Sequence, residues 1–170
     1  MTQTFIEPAR LLAGCRVEPI PAAELDRIRA AGHDDAGNAL AVLTDHPGGD
    51  PLRCCLRESR PGEPVLAIAY TPPGTAGAYA ERGPVIVHAD RCAGYPETHV
   101  YPPELWHYPQ VVRAYNRAGK IADGIRTTGG ADNRRAVDAL LARPEVVLLH
   151  IRNITYGCYN FAVVRDGAPG

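Results

Sequence analysis

Glycine and proline recur along this sequence more often than in most globular chains. The 170 residues include 17 glycines and 16 prolines, and both residue types favour turns or end regular elements. A chain interrupted so often cannot form long helices, so the sequence predicts short strands and short helices joined by many turns. Hydrophobic residues make up 45% of the chain and charged residues 22%, which argues against a disordered chain or a coiled coil.

Length and charge balance narrow the class of protein further. A chain of 170 residues fits one domain, so we predict a single domain over 1–170 with loosely ordered ends at 1–14 and 166–170. The 18 basic and 19 acidic residues give a net charge of −1, and no basic stretch offers the electrostatic footprint of a nucleic-acid binder. We expect a small-molecule ligand, no nucleic-acid or membrane partner, and a monomer or homodimer.

The N-terminal segment and the cysteines predict a cytoplasmic protein. Residues 1–8 lack the basic and apolar regions of a secretory signal, and the longest apolar run, 146–151, is far shorter than the roughly 20 residues of a membrane helix. Five cysteines, an odd number without a signal, are expected to be reduced thiols. Adjacent residues on a strand point to opposite faces, so Cys54 and Cys55 predict neither a zinc finger nor a thioredoxin-like motif.

Hydrophobic periodicity predicts more strands than helices. Helices are expected over 21–31, ended by Gly32, and over 131–143, capped by Asp132. Strands are expected over 15–20, 39–44, 52–57, 63–70, 84–89, 109–116, 119–126, 145–152 and 157–165. Because most neighbouring strands should pair antiparallel, the predicted fold class is α+β: a mixed, mostly antiparallel sheet, possibly closed like a barrel, with two main helices.

The C-terminal hairpin carries the most chemical information. If 153–157 forms its loop and Arg152 faces Cys158, one face of the hairpin is entirely apolar. That face holds Val147, Leu149, Ile151, Tyr159, Phe161 and Val163. The opposite face presents His150, Arg152, Cys158 and Asn160, where a guanidinium favours the thiolate and an imidazole can act as base or ligand. The alternative is a solvated sheet face on which Cys158 is a small hydrophobe.

A metal site is a further possibility. His88 and Cys92 are four residues apart, and both can reach one point if the strand that ends at His88 runs into a helical turn. Together with His150 and Cys158 they would form a donor set that zinc or iron accepts. Only one pair has local spacing, so the sequence predicts no cofactor by itself. The alternative is a strand-end histidine bonded to the backbone.

Two other segments offer candidate groups. Cys55 would share a strand face with Arg53 and Arg57, an electropositive environment for a thiol, and Glu63 at the following turn could orient a histidine or an arginine. The alternative is an edge strand with its arginines in water. The segment 95–108 is rich in aromatic rings and proline, which suits a ligand wall including Trp106 or a subunit interface, or else packing over the sheet.

Three blocks of sequence resemble the bacterial family catalogued as domain of unknown function 1203. They are Cys55–Arg57 with Pro61–Glu63 and Tyr70, Gly83–Ala89 with Cys92, and His150–Asn153 with Gly157–Cys158. The resemblance implies a small cytoplasmic bacterial protein whose family has no assigned general reaction. The resemblance is consistent with treating eight residues as candidate site residues: Cys55, Glu63, His88, Cys92, His150, Arg152, Asn153 and Cys158.

The preferred functional hypothesis is a small-molecule enzyme with its pocket over the polar face of the hairpin, using proton transfer or thiol chemistry. His88 and His150 would handle protons, Arg152 would bind a carboxylate or oxyanion, and Cys158 or Cys55 would be the nucleophile. The expected ligand-binding residues are Glu63, Asn153, Asn160, Tyr70 and Trp106. The alternatives are a non-catalytic ligand- or metal-binding module and a dimeric interaction protein.

Overall fold

Eight strands and two helices make up the fold, in a computed structural model that describes residues 9–167. In chain order the elements are β1 (Cys15–Glu18), α1 (Ala22–Ala31), β2 (Val42–Leu43), β3 (Val65–Tyr70), β4 (Gly83–His88), β5 (Gln110–Asn116), β6 (Ile121–Arg126), α2 (Ala131–Leu141), β7 (Val146–Asn153) and β8 (Tyr159–Arg165). Short 3-10 turns lie at Gly77–Tyr79 and Pro103–Leu105. The predicted α+β class with two main helices is confirmed.

The strands form two separate antiparallel sheets. One sheet has the order β1-β8-β7-β5-β6 and the other has the order β2-β3-β4. Every ladder between named strands is antiparallel, and a single parallel bridge joins Leu52 to Ile86. The larger sheet keeps β1 and β6 as open edges, so the barrel-like alternative is wrong.

The helix ends follow backbone geometry more than side-chain caps. α1 ends at Gly32, whose φ of 72° is readily adopted by glycine and whose N–H donates to the carbonyls of Ile28 and Arg29. α2 follows Gly130 without a side-chain cap. Asp132 instead accepts hydrogen bonds from the backbone and hydroxyl of Thr128, so the predicted capping role of Asp132 is wrong.

Each face of the five-stranded sheet packs on its own hydrophobic cluster. On one face, α2 and the aromatic segment cover Leu149, Ile151, Phe161 and Val163. On the other face, residues from α1, β3 and β4 pack against Leu148, Tyr159, Ala162 and Val164. β7 and β8 lie in the middle of the sheet, where they are covered from both sides. The expected polar, solvated face of the hairpin does not form.

The register of the hairpin differs from the prediction by two residues from Leu148 to Ile151 and by one residue at Arg152. Arg152 pairs with Tyr159 and Ile151 with Phe161, which leaves Asn160 as the extra residue of a bulge. A shift of two preserves which side chains share a face, so the grouping of Ile151 with Phe161 stands. The bulge turns Tyr159 to the face of His150, and the prediction that Tyr159 lies with Phe161 is wrong.

His150 is a core residue. Its side chain is only 1% exposed and lies between the rings of Tyr115 and Tyr159, with centroid distances of 4.6 and 5.1 Å. Its Nε2 lies 3.0 Å from the Pro73 carbonyl oxygen, so Nε2 carries the proton and donates it. Burial, together with the nearby cations Arg152 and Arg113, lowers the pKa of His150 to about 4.

Part of the predicted loose N-terminal end is packed against the fold. Ala9 and Leu11 are buried, and the Ala9 carbonyl accepts a hydrogen bond from the Tyr101 N–H at 2.8 Å. The rest of the two predicted ends, 1–8 and 168–170, lies outside the described residues. Within 9–167, no helix has the length and apolar character needed to cross a bilayer.

The buried imidazole predicts a loss of stability in mild acid. Between pH 6.5 and about 4 the unfolded chain binds a proton at His150 that the folded chain does not, so stability falls as the pH is lowered through this window. His150→Gln keeps an N–H donor for Pro73 but cannot titrate. Chemical denaturation at several pH values should show that this variant loses about 3 kcal/mol less than the parent across the window.

The exposed histidine His107 supplies the matched control. The same series on His107→Gln, which removes an exposed imidazole, measures what a histidine substitution outside the core does to the unfolding free energy. Equal slopes for the parent and His150→Gln would contradict the assignment of this pH dependence to the buried ring.

Candidate metal centre

Four potential metal ligands from three segments meet at one point. Cys54 and Cys55 lie in the loop before β3, His88 ends β4, and Cys92 lies in the loop that follows. Their donor atoms all lie within 4.8 Å of one another, and His88 Nδ1 is 3.3 Å from Cys54 Sγ and 3.7 Å from Cys55 Sγ. Zinc–sulfur bonds of about 2.3 Å place tetrahedral donors about 3.5–3.8 Å apart, so the set is close to the size of one ion's coordination shell.

A tight turn brings the two adjacent thiols to the same side. The Leu56 N–H donates to the Leu52 carbonyl at 2.8 Å, and Leu56 has a φ of 59°, a left-handed value that is uncommon for a non-glycine residue. Leu56 is 2% exposed, so burial of its side chain helps to offset the backbone strain. The predicted strand over 52–57 is therefore wrong, and the argument that Cys54 and Cys55 must diverge fails with it.

Glu63 orients the imidazole of His88. Its Oε1 lies 2.7 Å from His88 Nε2, and ion pairing with Arg57 holds the pKa of Glu63 well below its usual range. An ionised carboxylate only accepts hydrogen bonds, so Glu63 favours the neutral ring with its proton on Nε2, whereas Arg57 Nη2, a donor 2.8 Å from the same nitrogen, favours the other tautomer. With the proton on Nε2, the lone pair of Nδ1 is available to Cys54 Sγ and Cys55 Sγ. The carboxylate contacts one ring nitrogen and the candidate ligand site lies at the other, which is the arrangement found at histidines that bind metals in proteins.

Backbone groups favour the thiolate form at all three cysteines. The His88 N–H lies 3.4 Å from Cys54 Sγ. The backbone of Arg57 acts to lower the pKa of Cys55, and the backbone of Gly94 opposes the rise that burial causes in the pKa of Cys92. Donors of this kind favour the negatively charged thiolate, which is the form that binds metals.

The three thiols differ when no ion is bound. A hydrogen bond from the Cys54 thiol to Cys55 lowers the pKa of Cys55 and raises the pKa of Cys54, and burial raises the latter further. Burial also raises the pKa of Cys92. Cys55 is therefore the first of the three to lose its proton.

The cluster forms one wall of an open cavity. This cavity has a volume of about 500 Å³ and is lined by Cys55, His88 and Cys92 together with Arg57 and Arg91. Cys54 lies behind it and is 4% exposed. Solvent therefore reaches the cluster from one side, and buried protein encloses it on the other.

The hairpin residues lie outside this cluster. Arg152 and Cys158 line a separate cavity of about 160 Å³, where Arg152 pairs with Glu81 at 2.8 Å. His150 lies in the core and does not line that cavity. The structure thus brings Cys55, Glu63, His88 and Cys92 together. The predicted metal set of His88, Cys92, His150 and Cys158 is wrong, because His150 and Cys158 lie apart from the other two residues.

The other predicted ligand-binding residues lie outside the Cys/His cluster. Asn153 Oδ1 accepts the N–H groups of Thr155 and Tyr156 and so stabilises the hairpin loop. Trp106 is 7% exposed and packs in the first hydrophobic cluster. Asn160 is the buried bulge residue. Tyr70 lies at the cavity that holds Arg152.

A family model described as "Protein of unknown function (DUF1203)" matches residues 49–165, more than half of the chain. The chain belongs to the DUF1203 family. The matched region of this DUF1203 protein contains all four members of the Cys/His cluster and also Glu63. Searches of curated proteins and of solved structures found no match to the chain.

Sequence reasoning missed Cys54 as a member of the cluster. Its signal was present, because Cys54 and Cys55 are adjacent and a second Cys/His pair follows at His88 and Cys92. The strand assumed for 52–57 concealed this signal. The local sequence does not predict that Leu56 adopts a left-handed backbone conformation.

Unequal thiol protonation predicts selective alkylation. In metal-free protein at neutral pH, iodoacetamide should modify Cys55 well before Cys54, because Cys55 is partly exposed and its pKa is lowered. Tandem mass spectrometry of the peptide that holds both residues locates the label. Cys55→Ser should remove the fast phase, whereas initial modification at Cys54 would contradict the assignment.

Proposed function

We propose that this DUF1203 protein binds one zinc ion through Cys54, Cys55, Cys92 and Nδ1 of His88. The observation that supports this best is the convergence of the four donor atoms within 4.8 Å. The orientation of His88 by Glu63 and the backbone donors to the sulfur atoms add to it. Each feature favours the deprotonated ligands that a cation needs.

The donor types favour zinc over other abundant divalent ions. Three thiolates and one imidazole form a soft, four-coordinate set of the kind that structural zinc sites use. Magnesium and calcium require oxygen ligands. Iron also accepts thiolates, so metal analysis after purification distinguishes the two.

Four protein donors complete a tetrahedral shell, which favours a binding or structural role for the ion. Catalytic zinc sites keep one position for water or substrate. Here the ion would tie the turn at Cys54 and Cys55 to the end of β4 and to the loop at Cys92. These segments are far apart in sequence, so the cross-link restricts the unfolded chain and stabilises the fold.

Removal of ligands predicts loss of metal. Untagged protein should contain about one zinc per chain by plasma mass spectrometry, and Cys54→Ser and Cys92→Ser should each reduce it to a small fraction. Cys158→Ser removes a partly exposed thiol outside the cluster and should retain zinc. Zinc-free parent protein, or equal zinc in all variants, would refute the proposal.

Glu63 should tune the affinity without being a ligand. In Glu63→Gln the side chain keeps its size but loses the charge that favours the proton of His88 on Nε2, and zinc affinity should fall about 10- to 100-fold. Competition with a chromogenic chelator measures the change. Glu58→Gln is the control, because the Glu58 side chain contacts Tyr108 instead of the cluster. Equal affinities for Glu63→Gln and the parent would contradict the role of Glu63.

A second candidate function follows from the lowered pKa and partial exposure of Cys55. Metal-free protein would reduce one peroxide per chain. The Cys55 thiolate attacks one peroxide oxygen, the O–O bond breaks, and the other oxygen leaves as hydroxide or alkoxide, so that Cys55 becomes a sulfenic acid. The Cys92 thiol then attacks the sulfenic sulfur, the S–O bond breaks with release of water, and a disulfide forms, so the two thiols are oxidised and the peroxide is reduced. Peroxide consumption by the metal-free parent, absent in Cys55→Ser, supports this function. An equal rate in the two proteins contradicts it.

A further inference from the structure

Arg29 of α1 holds the loop that joins two of the proposed zinc ligands. Its Nη2 donates to the carbonyl oxygens of His88 and Asp90 at 3.0 and 3.1 Å, and its Nε donates to the carbonyl oxygen of Ala89 at 2.9 Å. These three carbonyls are successive in the chain, and they begin at one ligand, His88, and end two residues before another, Cys92. One guanidinium therefore fixes the path of the backbone that leads from one ligand towards the other.

The loop has few backbone contacts of its own. Residues 90–94 lie outside the helices and strands, and none of their N–H groups donates to a backbone carbonyl within 9–167. An ion pair of Arg91 with Asp26 at 3.4 Å also joins the loop to α1, but Arg91 is 71% exposed, and exposed pairs contribute little. The Arg29 side chain is only 20% exposed, and its charge-assisted hydrogen bonds are stronger. Arg29 is therefore the main polar tie between the loop and the helix.

The helix that carries Arg29 is anchored next to the Cys/His cluster. Leu25 and Ile28 of α1 are buried in the same hydrophobic cluster as Cys54. A small cavity of about 70 Å³ lies between α1 and the site, and its lining includes Leu25, Arg29, Cys54 and Cys92. The packing of α1 thus sets the position of the guanidinium relative to the loop that it holds.

We infer that Arg29 is a positioning residue of the zinc site, an inference that rests on the proposed function. The hydrogen bonds of its guanidinium go to backbone oxygens and to Asp26, so it acts through the backbone that carries Cys92. A loop that is already ordered loses less conformational entropy when its cysteine binds an ion, and the affinity for the ion rises accordingly. The site then includes a residue outside the family match, because Arg29 precedes residues 49–165.

Substitution of Arg29 tests the inference. Arg29→Gln should bind zinc about 10- to 100-fold more weakly than the parent in competition with a chromogenic chelator, as expected for a residue that orients metal ligands. Arg29→Lys keeps the charge but replaces the planar fork with one ammonium group, so its affinity should also fall about tenfold or more. Arg27→Gln is the matched control, because Arg27 lies on the same helix and pairs with Glu24 and Asp35 instead of the loop. Its zinc affinity should equal that of the parent.

Hydrogen exchange separates positioning from a general loss of stability. In metal-free protein, the amides of 88–92 should exchange several-fold faster in Arg29→Gln than in the parent or in Arg27→Gln. The amides of β6, an edge strand of the larger sheet, should exchange at the parent rate in all three proteins. The parent supplies a test that needs no variant: since coupling is reciprocal, zinc should slow the exchange of α1 amides.

The outcomes for the two proposals are distinct. A parent that binds no zinc would refute the proposed function, and faster exchange of 88–92 in Arg29→Gln would still support the role of Arg29 in holding the loop. Parent-like zinc affinity in Arg29→Gln or Arg29→Lys, unchanged exchange of 88–92, equal acceleration in β6, or α1 exchange that zinc does not slow in the zinc-loaded parent would each overturn the inference.

Discussion

β7 and β8 occupy the centre of the five-stranded sheet, and side chains on both of their faces are buried. One face packs against α2, and the other packs against residues of the smaller sheet and α1. Burial of both faces holds the layers together, because both hydrophobic clusters contain side chains of β7 and β8. It also explains why His150 is neutral and enclosed, and why Arg152, nearer the loop, lies at a cavity instead.

The Cys/His cluster depends on a different kind of constraint. A left-handed residue at Leu56 turns two neighbouring thiols to one side, and the short loop after His88 returns Cys92 to them. Glu63 then fixes the imidazole from behind. Such a site consists of loops anchored on the rigid β3–β4 hairpin, an arrangement common for binding sites in proteins. The proposed ion would add the cross-link that these loops lack.

Much of the fold was predictable from local patterns, and the site was predictable in part. Gly32 stops α1 as expected, and the apolar periodicity located most strands. His88, Cys92, Cys55 and Glu63 were all singled out, but in separate hypotheses. Their meeting depends on a turn that local propensity does not encode, since leucine seldom adopts a positive φ. Bulges such as that at Asn160 are equally hidden, because one extra residue leaves the alternating pattern almost intact.

The sequence by itself determined the short antiparallel elements, the two helices and the residue types available for metal or anion binding, because turn residues and hydrophobic periodicity act over a few positions. Only the tertiary structure decided which of these groups share a site. The continuous apolar runs of β7 and β8 fit burial on both faces, and what covers each face is a matter of long-range packing. That packing enclosed His150 and gathered Cys54, Cys55, His88 and Cys92 from segments that the chain keeps apart.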